Sequence, residues 1–176
     1  MGHAAGLGQS PRDPDPDTYE HFNAHCDVLV AGGGPAGMKA AGVAASRGHD
    51  VVLFEADEEL GGHLRLLSAL PTREEWQGGI DNLRRPLERW DVDVRLGATA
   101  SLEDLDTLSP DAVVCATGSS WDSSGFSPLR LERDTMPGVE QDNVLDVAAA
   151  TERALESPRA LGDKVLIVDE TGDYLP

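Results

Sequence analysis

Cys26-Asp-Val-Leu-Val-Ala-Gly-Gly-Gly-Pro-Ala-Gly37 is the stretch that decides the fold. An apolar run, Val28 to Ala31, enters Gly32-x-Gly34-x-x-Gly37, and a helix-compatible run from Met38 to Ala45 follows. Strand, glycine turn and helix in that order build a pyrophosphate site from backbone alone. Gly32 permits the tight turn. Gly34 has no Cβ, so a phosphate can approach the main chain. Gly37 lets the helix pack close to the strand. The helix, entered through Pro35 and Ala36, begins with free N–H groups and a partial positive charge directed at the anion.

Glycine-rich turns are common, so the context of this one carries the argument. The next strand, Asp50 to Phe54, leads into Glu55. An acid about 20 residues beyond the glycines accepts both ribose hydroxyls of an adenosine. The alternative is a structural turn with a solvated surface glutamate. A carboxylate here also repels a 2′-phosphate, which favours the unphosphorylated ribose of FAD, NAD or ADP over NADP. Ala56 continues the same edge. Gly61-Gly62 can let the chain pass close to a cofactor, or can be an ordinary loop pair. His63 can reach a phosphate or a ribose, or can be a surface loop residue. Cys115-Ala-Thr-Gly118 closes a further apolar run, and Thr117 and Gly118 fall at a strand's carboxyl end, where open α/β sheets bind ligands.

Working outward, the patterning predicts strand 26–31, helix 35–47, strand 51–55, loop 56–72, helix 73–90, strand 92–96, helix 102–108, strand 112–116, loop 117–142, helix 143–155 and strand 164–168. The alternation argues a doubly wound, Rossmann-like α/β domain with a parallel sheet. Ala112 to Ala116 and Val165 to Val168 are continuously apolar, as strands covered on both faces are. Trp76, Ile80, Leu83, Leu87 and Trp90 form one helical stripe, read as a core face. Thr72 and Glu75 form a candidate capping box for it, and Pro86 is expected to kink or split it near Arg85. Ser101 to Asp104 reads as a second cap. The long polar segment Gly118 to Asn143 reads as a loop, with Trp121 covering the core.

The chain has 176 residues, enough for one domain with a core, and a net charge of −18 from 32 acids and 14 bases. Nucleic acid is excluded as a partner, because phosphate backbones demand a basic footprint. No run approaches the roughly 18 apolar residues of a membrane span. Residues 1–24 are rich in Gly, Pro and Asp and read as an extended or disordered lead-in without the features of a signal peptide. Residues 25–160 form the expected dinucleotide-binding domain, and 161–176 the start of a truncated or degenerate second nucleotide-binding unit. Cys26 and Cys115 read as buried free thiols in a reducing cytoplasm, with no CxxC spacing for a metal. No serine among Ser119, Ser120, Ser123 and Ser124 has a neighbouring histidine to activate it, so neither a catalytic residue nor a metal ligand is assigned.

Val28 to Gly37, Glu55, Leu60-Gly-Gly-His-Leu64, Ala69-Leu-Pro71, Glu75-Trp76 and Ala116-Thr-Gly118 together resemble the nucleotide-binding region of trimethylamine dehydrogenase and its relatives. Those relatives include dimethylamine and histamine dehydrogenases and 2,4-dienoyl-CoA reductase, all with an old-yellow-enzyme-type barrel in front. Ala4-Ala-Gly-Leu-Gly8, Asp15-Pro-Asp17, Tyr19-Glu20 and His25 to Val30 resemble instead the α subunit of heterotetrameric sarcosine oxidase, in which a similar segment precedes an NAD-holding domain. Both families oxidise amines with flavins. The resemblance implies FAD as the leading ligand, with ADP or NAD as alternatives, and hydride delivery to the flavin N5. It also implies a partner: the barrel and its cluster cysteines have no counterpart here, so a barrel-containing flavoprotein chain or subunit is expected to bring the substrate side. Lys164 to Tyr174 falls where a second glycine turn is expected, yet it has only Gly172 among Asp169, Glu170 and Asp173, acids that would repel a pyrophosphate.

Overall fold

The computed structural model describes residues 25–127 and 130–168. The lead-in and the second-turn residues around Gly172 lie outside them. Four strands, β1 (Val28–Ala31), β2 (Val51–Phe54), β3 (Asp93–Arg95) and β4 (Ala112–Cys115), form a parallel sheet in the order β3-β2-β1-β4. Helices α1 (Pro35–Ser46), α2 (His63–Ser68), α3 (Glu75–Arg89), α4 (Leu102–Leu108) and α5 (Val147–Glu156) connect and follow them. In register, Val30 sits between Leu53 and Val114, and Ala31 between Phe54 and Cys115. This is the expected Rossmann-like α/β fold, with β1 in the centre and the glycine turn at its carboxyl end.

Alternation along the strands splits the core in two. Val30, Val51 and Leu53 pack with Met38, Ala41, Ile80 and Leu87 under α1 and α3. Leu29, Val52 and Phe54 face the other way, onto Cys26 and Leu108. The small residues of α1 allow the helices to approach. A Cβ on Gly42 would lie 3.0 Å from the Pro86 ring, so α3 rests on α1 at that point. Pro86 neither splits nor ends α3: the helix runs unbroken to Arg89, with the ring in the α1 contact.

Several expectations are overturned. The loop 56–72 contains a helix, α2. The helix expected from 73 begins at Glu75, capped by the backbone of Glu74 without a side-chain bond. Thr72 cannot cap it, because the turn after Pro71 puts Thr72 at φ +67 and its N–H donates to Glu74 Oε1 (3.3 Å). Ile80 and Leu87 are buried, but Trp76 and Trp90 overhang the narrow sheet and are exposed. Trp121 is exposed rather than a core cover. The helix expected from 143 starts at Val147, where the Asp146 carboxylate accepts the Ala149 N–H (2.8 Å).

β4 departs most. Among the described residues it is an edge strand with one neighbour, Val113 is 46% exposed, and Cys115 is exposed while Cys26 is buried. Val165 to Val168 form no strand, and Leu166 is 88% exposed. The Ser101 cap stands as expected: its hydroxyl accepts the Asp104 N–H while Asp104 accepts the Ser101 N–H, a reciprocal box. Among the described residues no helix is long and apolar enough to cross a membrane.

Candidate functional site

The carboxyl ends of β1, β2 and β4 open onto one cleft of about 1230 Å³. Its floor is the glycine turn. Gly32 holds φ +105, and a Cβ there would run into the Ala116 carbonyl. A Cβ on Gly37 would run into the Gly32 carbonyl oxygen and sit 3.3 Å from Ala116 Cβ, so the helix start lies directly on the turn and on the end of β4. Gly34 differs. Its backbone is ordinary (φ −68, ψ 179), and a Cβ on it would meet no atom within 4 Å. Bare main chain at the N-cap of α1 therefore faces open space. No side chain caps α1, Pro35 follows Gly34, and the first turn holds no acid. The N–H groups of Ala36 and Gly37 are the first amides beyond Pro35. A group carrying a pyrophosphate fits this cradle, because the donors, the field and the missing Cβ converge on it.

Glu55 follows β2 and is 8% exposed. Its Oε2 accepts the Gly33 N–H at 2.6 Å and its Oε1 accepts the Asp57 N–H at 2.9 Å. Each carboxylate oxygen keeps a second lone pair. The carboxylate is thus fixed by the glycine turn on one side and by its own loop on the other. Ala98 and Gly97 complete the clasp, donating to the Glu55 and Asp57 carbonyls at 2.9 Å each. Reading the sequence passed over Gly33, the residue between two motif glycines. The signal was available in the run of three consecutive glycines: a Cβ on Gly33 would collide with the Leu60 side chain and lie 2.9 Å from Glu55 Oε2.

The pair Gly61-Gly62 is built against this turn. The Gly61 N–H donates to the Gly33 carbonyl (2.9 Å), both glycines hold positive φ, and a Cβ on Gly62 would stand 3.3 Å from Gly34 Cα. His63 opens α2 and lines the cleft with an exposed side chain. Thr117 and Gly118 line the opposite wall beyond β4, with Ala56 at the rim. Of the residues singled out in the sequence, Gly37 lies beneath the cleft floor and Gly61 behind its wall; Gly32, Gly34, Pro35, Ala36, Glu55, Ala56, Gly62, His63, Thr117 and Gly118 all line it. Asp57, Glu59 and Arg65 also line it and were not anticipated.

Residues 27–85, which span the glycine turn, Glu55 and α2, match the family model for FAD dependent oxidoreductases. These residues belong to a flavin-binding module. An NADH oxidase of Thermoanaerobacter brockii is 50% identical over 92 residues, 52% of this chain and 14% of that protein. An N,N-dimethylglycine/sarcosine dehydrogenase of Chromohalobacter salexigens is 37% identical over 147 residues, 84% of this chain and 20% of that protein. The solved structure of the 6-hydroxypseudooxynicotine amine oxidase of Pseudomonas geniculata N1 superimposes with a TM-score of 0.60 at 30% identity, covering 70% of this chain and 18% of that one. The module thus spans a fifth or less of the length of these proteins. FAD is its cofactor class, and the similarity to the dimethylglycine/sarcosine dehydrogenase and to the amine oxidase extends over 84% and 70% of this chain.

Proposed function

We propose that the cleft binds FAD through its ADP half and serves a flavin-dependent oxidoreductase of the amine dehydrogenase or dienoyl-CoA reductase type. The observation that carries this reading is Gly34: open main chain at an uncapped helix start, within reach of a fixed carboxylate. In this reading Gly32 and Gly37 shape the turn, and the amides of Ala36 and Gly37 donate to the pyrophosphate beside Gly34 and Pro35. Glu55 accepts from the adenosine ribose through its free lone pairs, with Ala56 at its edge. Gly61, Gly62 and His63 form the near wall, and Thr117 and Gly118 the far wall.

Bound FAD supplies a two-electron acceptor. The chain's own residues bind and orient it. A barrel-containing flavoprotein chain or subunit brings the substrate, a reading supported by the exposed positions along β4, where Val113 is 46% exposed. Residues 25–160 are the binding domain and 161–176 begin the next unit. A reducing cytoplasm suits the free thiols of Cys26 and Cys115. The test is to denature the purified chain and identify the nucleotide released by mass, alongside its visible spectrum. Flavin absorbance and released FAD are expected. A colourless protein that releases ADP or NAD, and does not take up added FAD, overturns the reading.

A further inference from the structure

We propose that Asp57 and Glu59 set this site's discrimination against 2′-phosphorylated nucleotides by clamping Arg65 beside the ribose acid. The inference rests on the site reading above. Where dinucleotide sites of this architecture accept a 2′-phosphate, an arginine close to the β2 acid receives it. This chain has such an arginine. Arg65, on α2, is the only lysine or arginine lining the cleft among the described residues. It is paired with two acids. Its Nε lies 3.1 Å from Glu59 Oε2 and its Nη1 3.5 Å from Asp57 Oδ2.

Two backbone bonds make the clamp a fixed part of the site. The Asp57 N–H donates to Glu55 Oε1, and the Asp57 carbonyl accepts from the Gly97 N–H, each at 2.9 Å. Asp57 therefore bridges the ribose acid and the guanidinium. The Arg65 stem lies across Gly61, where a Cβ would come within 2.8 Å of Arg65 Cγ. An incoming 2′-phosphate meets three carboxylates, Glu55, Asp57 and Glu59, against one guanidinium already paired with two of them. An exposed ion pair is weak singly. The discrimination comes from the competition: two acids are paired with the guanidinium that a phosphate would otherwise engage in bidentate fashion.

The experiment measures the affinity ratio of ADP-ribose to 2′-phospho-ADP-ribose by calorimetry on the full chain freed of nucleotide. It uses the wild type, Asp57→Asn/Glu59→Gln, and the same double variant carrying Arg65→Ala, each confirmed folded by its melting curve. The wild type is expected to prefer ADP-ribose by at least about tenfold. The double variant should narrow that ratio by roughly tenfold, the scale of one charge-assisted contact. Adding Arg65→Ala should restore most of the preference. An unchanged ratio in the double variant overturns the proposal. So does a narrowed ratio that survives loss of Arg65, which would reduce the effect to simple charge removal. If the wild type binds neither nucleotide, the site reading itself falls and takes this inference with it.

Discussion

Gly34→Val separates binding from folding at this site. Its φ of −68 and ψ of 179 are open to any L residue, and a Cβ there touches nothing within 4 Å. Two opposing terms act on stability. Glycine is the better N-cap, and losing it costs up to about 1 kcal/mol. Stiffening the unfolded chain returns about 0.4–1 kcal/mol. The net is close to zero, so the melting temperature should stay within a few degrees of wild type. Binding is another matter. The new side chain fills the space that a phosphate would occupy and holds it away from the Ala36 and Gly37 amides. A hydrogen bond to a charged group is worth about 1.5–3 kcal/mol. Losing one weakens FAD by about ten- to hundredfold, since each 1.4 kcal/mol is about tenfold. Gly37→Ala is the contrast. Its Cβ runs into the Gly32 carbonyl oxygen, so α1 must lift off a core that includes Met38 and Ala41, an overpacking cost of about 1–3 kcal/mol. FAD titration and thermal melting on both variants decide the matter. A Gly34→Val protein that binds FAD as wild type does refutes the cradle. One that melts as low as Gly37→Ala refutes the geometry assigned to Gly34.

Two further outcomes test the fold around the site. Cys115 is exposed, whereas Cys26 is buried and its thiol pKa is pushed up by that burial, so a thiol reagent should label Cys115 alone in the folded protein and Cys26 only on unfolding; equal labelling rates would show that β4 is covered or that Cys26 is accessible. The Asp104 carboxyl is held below its usual range, chiefly by the Ser101 hydroxyl and then by the Ser101 backbone N–H. A folded-state pKa below the unfolded one adds stability that is present above the unfolded value and disappears as pH falls through the folded one. Ser101→Ala should therefore lower stability by about 1 kcal/mol near neutrality, the usual worth of a cap, and the gap to wild type should shrink in acid; a gap that is constant with pH removes the Asp104 half of the box.

What the sequence made legible divides along a physical line. The glycine turn and the Ser101 box are local: each depends on residues a few positions apart, and the turn also on the positive φ that Gly32 adopts cheaply. Glu55 was placed from spacing alone. Its grip on Gly33, however, needs two strand ends brought together, and no spacing reveals which amide will meet the carboxylate. The Arg65 clamp escaped notice for the same reason, and because a charged run such as Asp57-Glu-Glu59 ordinarily belongs to solvated surface. Thr72 failed differently, since a turn chose its φ before the helix could use its hydroxyl.

The apolar runs carry the sharper lesson. Val51 to Phe54 and Ala112 to Cys115 read alike, and both became strands of one sheet. Only the first is buried. Apolarity records that a strand is covered in the working protein; it does not record by which polypeptide. β2 has neighbours on both sides and helices from this chain above it, so its apolarity is satisfied internally. Among the described residues β4 has one neighbour, and Val113 stays half in water at a cost of about 25 cal/mol for each Å² of apolar surface. Val165 to Val168 face the same cost with no strand partner at all. The apolar runs that misled the reading are thus the ones whose cover the described residues do not include.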